Sequence, residues 1–143
     1  MAIRYERDAD AAVLADQTVA VVGYGNQGRS WALNLRDSGI DPVVCVRADE
    51  TRRQAEADGF TASELDAAAG ADIACLLIPD DAIPGLPVDW SESTMVVVAS
   101  GYTLAFDRIR PPGDAVMIAP RMLGSEVREC FVEGVGFITA IGV

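Results

Sequence analysis

Three glycines, Gly23, Gly25 and Gly28, stand in the spacing G-x-G-x-x-G directly after the apolar run Val19-Ala20-Val21-Val22, and a helical pattern follows. That order is what a dinucleotide site needs. Gly23 lets the chain turn tightly off a strand, Gly25 lets a pyrophosphate approach bare backbone, and Gly28 lets the next helix pack closely on the sheet. The helix N-terminus adds unpaired N–H groups and a partial positive charge. Glycines alone carry little weight, because 13 of the 143 residues are glycine. The strand before them and the helix after them carry the reading. Its rival is a tight strand-to-helix turn that binds nothing.

Other residues invite chemistry but lack its partners. Asp80 and Asp81 are adjacent carboxylates, the composition of an acid–base or metal pair. Adjacent side chains point in different directions, so a strand-end turn at Pro79-Asp80 is the simpler account. Ser100 could be a nucleophile only with a base beside it. The sequence contains no histidine, and all eleven basic residues are arginine. Ser-His-Asp and Cys-His catalysis, histidine metal sites, a P-loop lysine and Schiff-base chemistry are therefore excluded. Cys45 and Cys75 sit inside apolar runs and read as small core residues, and the odd count with Cys130 suits a reducing compartment. Arg108 and Arg110 read as a solvated edge rather than a phosphate site.

The net charge of −11, with 22 acidic against 11 basic residues, repels nucleic acid and anionic membrane surfaces. No apolar run is long enough to span a bilayer, and the charged N-terminus carries no signal-peptide core. A cytoplasmic protein is expected, with a small-molecule substrate and neither nucleic acid nor membrane as partner. The length fits one domain over residues 1–143.

The elements that must hold these residues follow in order. Residues 1–17 form a polar lead-in, with Leu14 the residue expected to dock on the body. After the first strand, a helix runs from Gln27 to Ser38 and stops at Gly39. Pro42–Val46 is a second strand, ended by Arg47, and a polar loop spans 48–53. A second helix covers Gln54–Asp58. Ser63-Glu64-Leu65-Asp66 resembles a capping box that opens a short alanine-rich helix. Ile73–Ile78, Met95–Ala99 and Val116–Ala119 are further strands, with an irregular connection or broken helix over Ile83–Trp90. A short helix near Ser125–Cys130 leads to a last strand over Gly136–Ile141. Continuous rather than alternating apolarity means that both faces of the strands are covered, as in a parallel sheet between helices. A Rossmann-like, doubly wound, mainly parallel α/β fold follows. Arg47, Asp80, Ser100 and Arg121 each fall just past a strand and should line one edge with the glycine turn.

These stretches resemble the ketol-acid reductoisomerases of branched-chain amino-acid biosynthesis. The likeness runs through Thr18–Gly28, Ala32–Gly39, Ala55–Phe60, Leu77–Asp81, Ile109–Pro112 and Ile118–Pro120, and so covers nearly the whole chain. The family usually has serine at the position of Asn26. The resemblance implies an oxidoreductase domain that binds NADP, in an enzyme that uses Mg²⁺ to migrate an alkyl group in an acetohydroxy acid and then reduces the product by hydride transfer. It implies that the metal-binding carboxylates lie on a separate helical domain, expected here from a partner chain or from sequence removed beyond the abrupt end at Ile141-Gly142-Val143; a homo-oligomer is the other partner expected. Mg²⁺ is then expected only with that domain. The cofactor set implied is Gly23, Tyr24, Gly25, Asn26, Gln27, Gly28, Arg47, Thr51, Arg52, Pro79, Asp80, Asp81 and Ser100.

Two departures fall on the substrate side. The family's histidine is Ser100 here, and its lysine after Ala-Pro is Arg121. A serine hydroxyl cannot exchange protons near neutral pH unaided, and arginine stays protonated. The resemblance thus implies retained nucleotide binding with lost or altered isomeroreductase chemistry. Cofactor choice rests on residues 47–53. The family has serines that bind the 2′-phosphate, whereas this loop is one residue shorter and offers Asp49, Glu50 and Thr51. A carboxylate there suits a free 2′-hydroxyl, while Arg52 and Arg53 argue for phosphate. NADP is expected from the resemblance, with NAD as the alternative. Three functions stay open: a reductase half completed by a helical domain, a stand-alone nucleotide-binding or regulatory module, and a reductase with a different small substrate.

Overall fold

The computed structural model describes residues 3–143. The first two residues of the expected lead-in lie outside it. Seven strands form one sheet: β1 (Val19–Val22), β2 (Val43–Cys45), β3 (Ala62–Ser63), β4 (Ile73–Leu76), β5 (Met95–Val98), β6 (Ala115–Pro120) and β7 (Thr139–Gly142). Their order is β3-β2-β1-β4-β5-β6-β7. All neighbours are parallel except β6 and β7. The helices are α1 (Asn26–Asp37), α2 (Glu50–Ala57), α3 (Tyr102–Ala105) and α4 (Gly124–Glu133).

The apolar run of β1 is buried at all four positions because each face of the sheet has its own core. Val19 and Val21 pack with Ala32 and Leu33 of α1, Ala55 of α2, and Tyr24 and Phe60. Ala20 and Val22 face Ala68, Ala71, Ile83, Val96 and Val98 on the other side. Burying each valine contributes about 1.5–3 kcal/mol, so β1 is the anchor of the sheet. Cys45 and Cys75 are buried thiols, and burial pushes them up to about 11 and about 12. They stay protonated and behave as small hydrophobic residues.

The doubly wound fold stands, with four local corrections. α2 begins at Glu50 rather than Gln54, so most of the expected 48–53 loop is helix, capped by Asp49 whose side chain accepts Thr51 N–H. The capping box at Ser63 does not form: Ser63 belongs to the edge strand β3, and Leu65–Gly70 is a 3₁₀ turn without a side-chain cap. α3 follows β5 where no helix was expected. The last strand is shorter than expected, Thr139–Gly142, and runs antiparallel. In the lead-in, 3₁₀ turns cover Glu6–Asp8 and Ala11–Leu14, and Leu14 is half-buried while its neighbours are exposed.

Candidate dinucleotide site

The chain runs outward from β1 through β2 to β3, then returns to place β4 on the other side of β1. This reversal opens a crevice at the carboxyl ends of β1 and β4, where ligands bind in such sheets. Gly23 lies in its floor. Its N–H donates to Cys45 O at 2.9 Å, and Leu77 N–H donates to Val22 O at 2.8 Å, so the turn is pinned from both neighbouring strands. Its φ is +95°, and a Cβ there would stand 2.7 Å from Leu77 O. Only glycine fits both constraints.

The other two glycines divide the remaining work. A Cβ on Gly28 would overlap Gly23 O, so the first turn of α1 lies directly on the glycine turn. Gly25 is exposed, and a Cβ there would meet nothing within 4 Å. It is the N-cap of α1, whose first intrahelical bond runs from Arg29 N–H to Gly25 O at 2.9 Å. The backbone N–H groups of residues 26–28 precede that bond. Bare backbone at Gly25 beside the N-terminus of a twelve-residue helix suits a pyrophosphate.

Tyr24 takes a different part from the one its place in the motif implies. Its ring is 1% exposed and stacks edge-on against Phe60. Its hydroxyl donates to Asp58 Oδ2 at 2.9 Å, and burial, then the Asp58 hydrogen bond, push it well above the usual phenol range. Its ring and hydroxyl are committed within the protein. Asp58 also accepts a bidentate pair from Arg29 at 2.7 and 3.0 Å, and its backbone carbonyl accepts Arg36 Nη1–H at 2.6 Å. Arg29 and then Tyr24 hold the Asp58 carboxyl below the ordinary range. The end of α2 is thereby tied to α1, and α1 to the glycine turn.

The N-terminus of α4 closes on the same turn, a contact spanning almost a hundred residues that no local pattern announces. Gln27 Nε2–H donates to Met122 O at 3.0 Å, and Ser125 N–H donates to Asn26 Oδ1 at 2.9 Å. Arg128 reaches Asn34 Oδ1 at 2.9 Å and also pairs with Asp37. A Cβ on Gly124 would overlap Asn26 O and stand 2.7 Å from Gln27 N. The obstacle is helical backbone, which cannot step aside. Gly124→Ala is therefore expected to lift α4 off α1 at a cost of about 1–3 kcal/mol, read as a lower thermal midpoint, and to weaken dinucleotide binding with it.

The remaining expected residues distribute as follows. Arg47, Asp80, Ser100 and Arg121 follow β2, β4, β5 and β6, all parallel, so they share the carboxyl edge. Ser100 Oγ–H donates to Asp80 Oδ2 at 3.0 Å and accepts Tyr102 N–H at 3.2 Å. Pro79 and Asp81 are exposed beside them. Thr51 lines a cavity of about 450 Å³ together with Gly25, Asn26 and Ser125. Arg52 is committed elsewhere: its guanidinium donates to Ala62 O at 3.0 Å, Val46 O at 3.2 Å and Glu64 Oε1 at 2.7 Å. It braces α2 on the sheet edge, away from the ligand role expected of it. Among the described residues, no group of three or more His, Cys, Asp or Glu could hold a metal ion. No described helix is long and apolar enough to cross a membrane.

Residues 13–143 match the family model described as acetohydroxy acid isomeroreductase, NADPH-binding domain. The chain belongs to this family. Ketol-acid reductoisomerase (NADP(+)) from Caldivirga maquilingensis is 35% identical over 96% of this chain and 44% of its own length. The solved NADH-preferring ketol-acid reductoisomerase from an uncultured archean matches with a TM-score of 0.94 at 32% identity, over 100% of this chain and 47% of that one. The Mycobacterium tuberculosis 3-hydroxyisobutyrate dehydrogenase, at 16% identity and a TM-score of 0.65 over 88% of this chain and 46% of its own, shares the fold alone. The chain thus spans less than half the length of these relatives.

Proposed function

We propose that this chain is the nucleotide-binding half of a ketol-acid-reductoisomerase-like oxidoreductase, placing a reduced nicotinamide against a small 2-keto acid-type substrate once a helical domain completes the site. The observation that carries this reading is the exposed, unobstructed backbone of Gly25 at the α1 N-terminus, in the crevice where the strand order reverses. Bound NADPH or NADH supplies the hydride. The chain's own residues hold the cofactor. Gly25 and the first N–H groups of α1 receive the pyrophosphate, and the Ser100–Asp80 pair, 3.0 Å apart, forms the wall at the ends of β5 and β4. Ser100 Oγ–H points at Asp80 Oδ2, which orients the hydroxyl along that wall. Arg121, exposed at the end of β6, offers a fixed positive charge toward an anionic substrate.

The family's metal-binding carboxylates and their chemistry would come from the helical domain, in a longer chain or a second chain, and a place in branched-chain amino-acid biosynthesis follows only with it. A second reading, a stand-alone nucleotide-binding module, is favoured by Ser100 and Arg121 in place of the family's histidine and lysine. Both readings expect binding without turnover by this chain alone. Titration with NADPH and NADH, followed by dihydronicotinamide fluorescence, should show saturable binding of at least one. Saturation by neither would overturn the site. Turnover of 2-acetolactate by the unaccompanied chain would overturn the altered-chemistry reading.

A further inference from the structure

We infer that Gln27, held in turn by Trp31, is a positioning residue for Arg121. Its side-chain amide fixes the turn after β6 from which that arginine meets the carboxylate of the substrate. The inference rests on the proposed role of Arg121 as the cation for an anionic substrate, and adds what holds that cation in place. Arg121 is exposed, and among the described residues its guanidinium takes part in no salt bridge. Its aim therefore depends on its backbone. Arg121 N–H donates to Ile138 O at 3.1 Å, just before β7. The peptide between Met122 and Leu123 is held at both ends. Met122 O accepts Gln27 Nε2–H at 3.0 Å, and Leu123 N–H donates to Glu126 Oε2 at 3.2 Å.

The direction of the Gln27 amide is not free. Trp31, one helical turn further along α1, donates its indole Nε1–H to Gln27 Oε1 at 3.1 Å. An indole nitrogen only donates and a backbone carbonyl only accepts, so the amide satisfies both neighbours in one orientation alone. Turned over, it would set N–H against N–H and oxygen against oxygen. Trp31 is packed against the core beneath α1, which makes it a firm base. The strut thus runs from the core through Trp31 and Gln27 to the turn that carries Arg121. It also divides Gln27 between two tasks. Its main-chain N–H is one of the free donors at the start of α1 that suit a pyrophosphate, while its side chain holds the turn on the substrate side. A planar guanidinium gains from such fixing, since a bidentate bond to a carboxylate demands direction as well as distance.

The test uses the full chain saturated with NADPH and titrated with a small 2-keto acid, 2-oxobutanoate, followed by the change in dihydronicotinamide fluorescence. Trp31→Phe keeps an aromatic ring on the core and removes the indole donor. It should leave NADPH affinity at the wild-type value and weaken the keto acid about threefold. Gln27→Met removes both bonds at nearly equal side-chain length. It should weaken the keto acid about tenfold, and do so by a larger factor than it weakens NADPH. Arg121→Met should weaken the keto acid most, and adding Gln27→Met to it should cost nothing further, because the strut then has no cation to place. Thermal midpoints check that each variant is folded. Equal losses for NADPH and keto acid would overturn the inference while leaving the dinucleotide site intact. So would a keto acid affinity unmoved by both Trp31→Phe and Gln27→Met, or an additive loss in the double variant. Binding of NADPH without the keto acid in wild type would overturn the role of Arg121 and the inference together.

Discussion

Gly28→Ala should cost the fold roughly 3 kcal/mol, whereas Gly25→Ala, three residues away in the same motif, should cost less than about 1 kcal/mol. The difference comes from what each Cβ would meet. At Gly28 it would overlap Gly23 O, a backbone atom held by the bond from Gly23 N–H to Cys45 O and by the neighbouring Leu77. Neither the turn nor the helix can move without breaking a strand-end bond. At Gly25 the space is open and φ is −78°, a conformation any residue adopts. The order reverses for binding. A methyl group at Gly25 stands where the pyrophosphate must approach, and Gly25→Ala should weaken NADH or NADPH at least tenfold with the fold intact. Thermal denaturation separates the two variants: a midpoint about 10 °C lower for Gly28→Ala, nearly unchanged for Gly25→Ala. Equal midpoints would show that Gly28 is not a packing residue.

The second large effect is expected at Asp58. Asp58→Ala leaves the Tyr24 hydroxyl buried without its acceptor and Arg29 without its carboxylate. An unsatisfied buried hydroxyl costs about 1–3 kcal/mol. The Arg29 pair adds less than about 1 kcal/mol because that side chain is 45% exposed and water screens it. Urea denaturation should therefore show a loss of about 2–3 kcal/mol. Tyr24→Phe in the Asp58→Ala background should recover part of it, because the stranded hydroxyl is then gone. The same group sets an acid limit. The folded-state pKa of Asp58 is depressed, so its contribution is present above the unfolded value near 3.9 and is lost as pH falls through the folded one. Wild type should lose more stability than Asp58→Asn between about pH 5 and pH 2. Parallel curves would remove Asp58 as the source.

Much of this architecture is written in local pattern. β1, β4 and β5 are legible because a strand covered on both faces must be apolar at every position, and the glycine spacing marks the turn between β1 and α1. The N-terminal half of α2 escapes that logic: Glu50, Thr51, Arg52 and Arg53 present no apolar period, and Asp49 followed by an acidic first turn was the signal that could have marked its start. β3 has two residues and no hydrophobic run. The least legible part is the clasp of α4 on α1. Gln27 meets Met122 and Asn26 meets Ser125 only after six parallel strands have been laid side by side, and neither spacing nor composition encodes that distance. Arg52 shows the same limit at one residue, since its charge suggested a phosphate and its contacts turned out to be carbonyls.

Those contacts have a bearing on how the molecule behaves in company. A sheet ends where its last strand still has hydrogen-bonding groups to offer, and a long bare border invites a strand from another molecule. Here the outermost strand is two residues long, and Arg52 already occupies Ala62 O, with its charged head lying against that margin. The border is short and capped, and the Arg52–Glu64 pair upon it, 2.7 Å apart, balances its charge. At this border of the sheet, the far one being β7, Arg52 covers a carbonyl that an added strand would need.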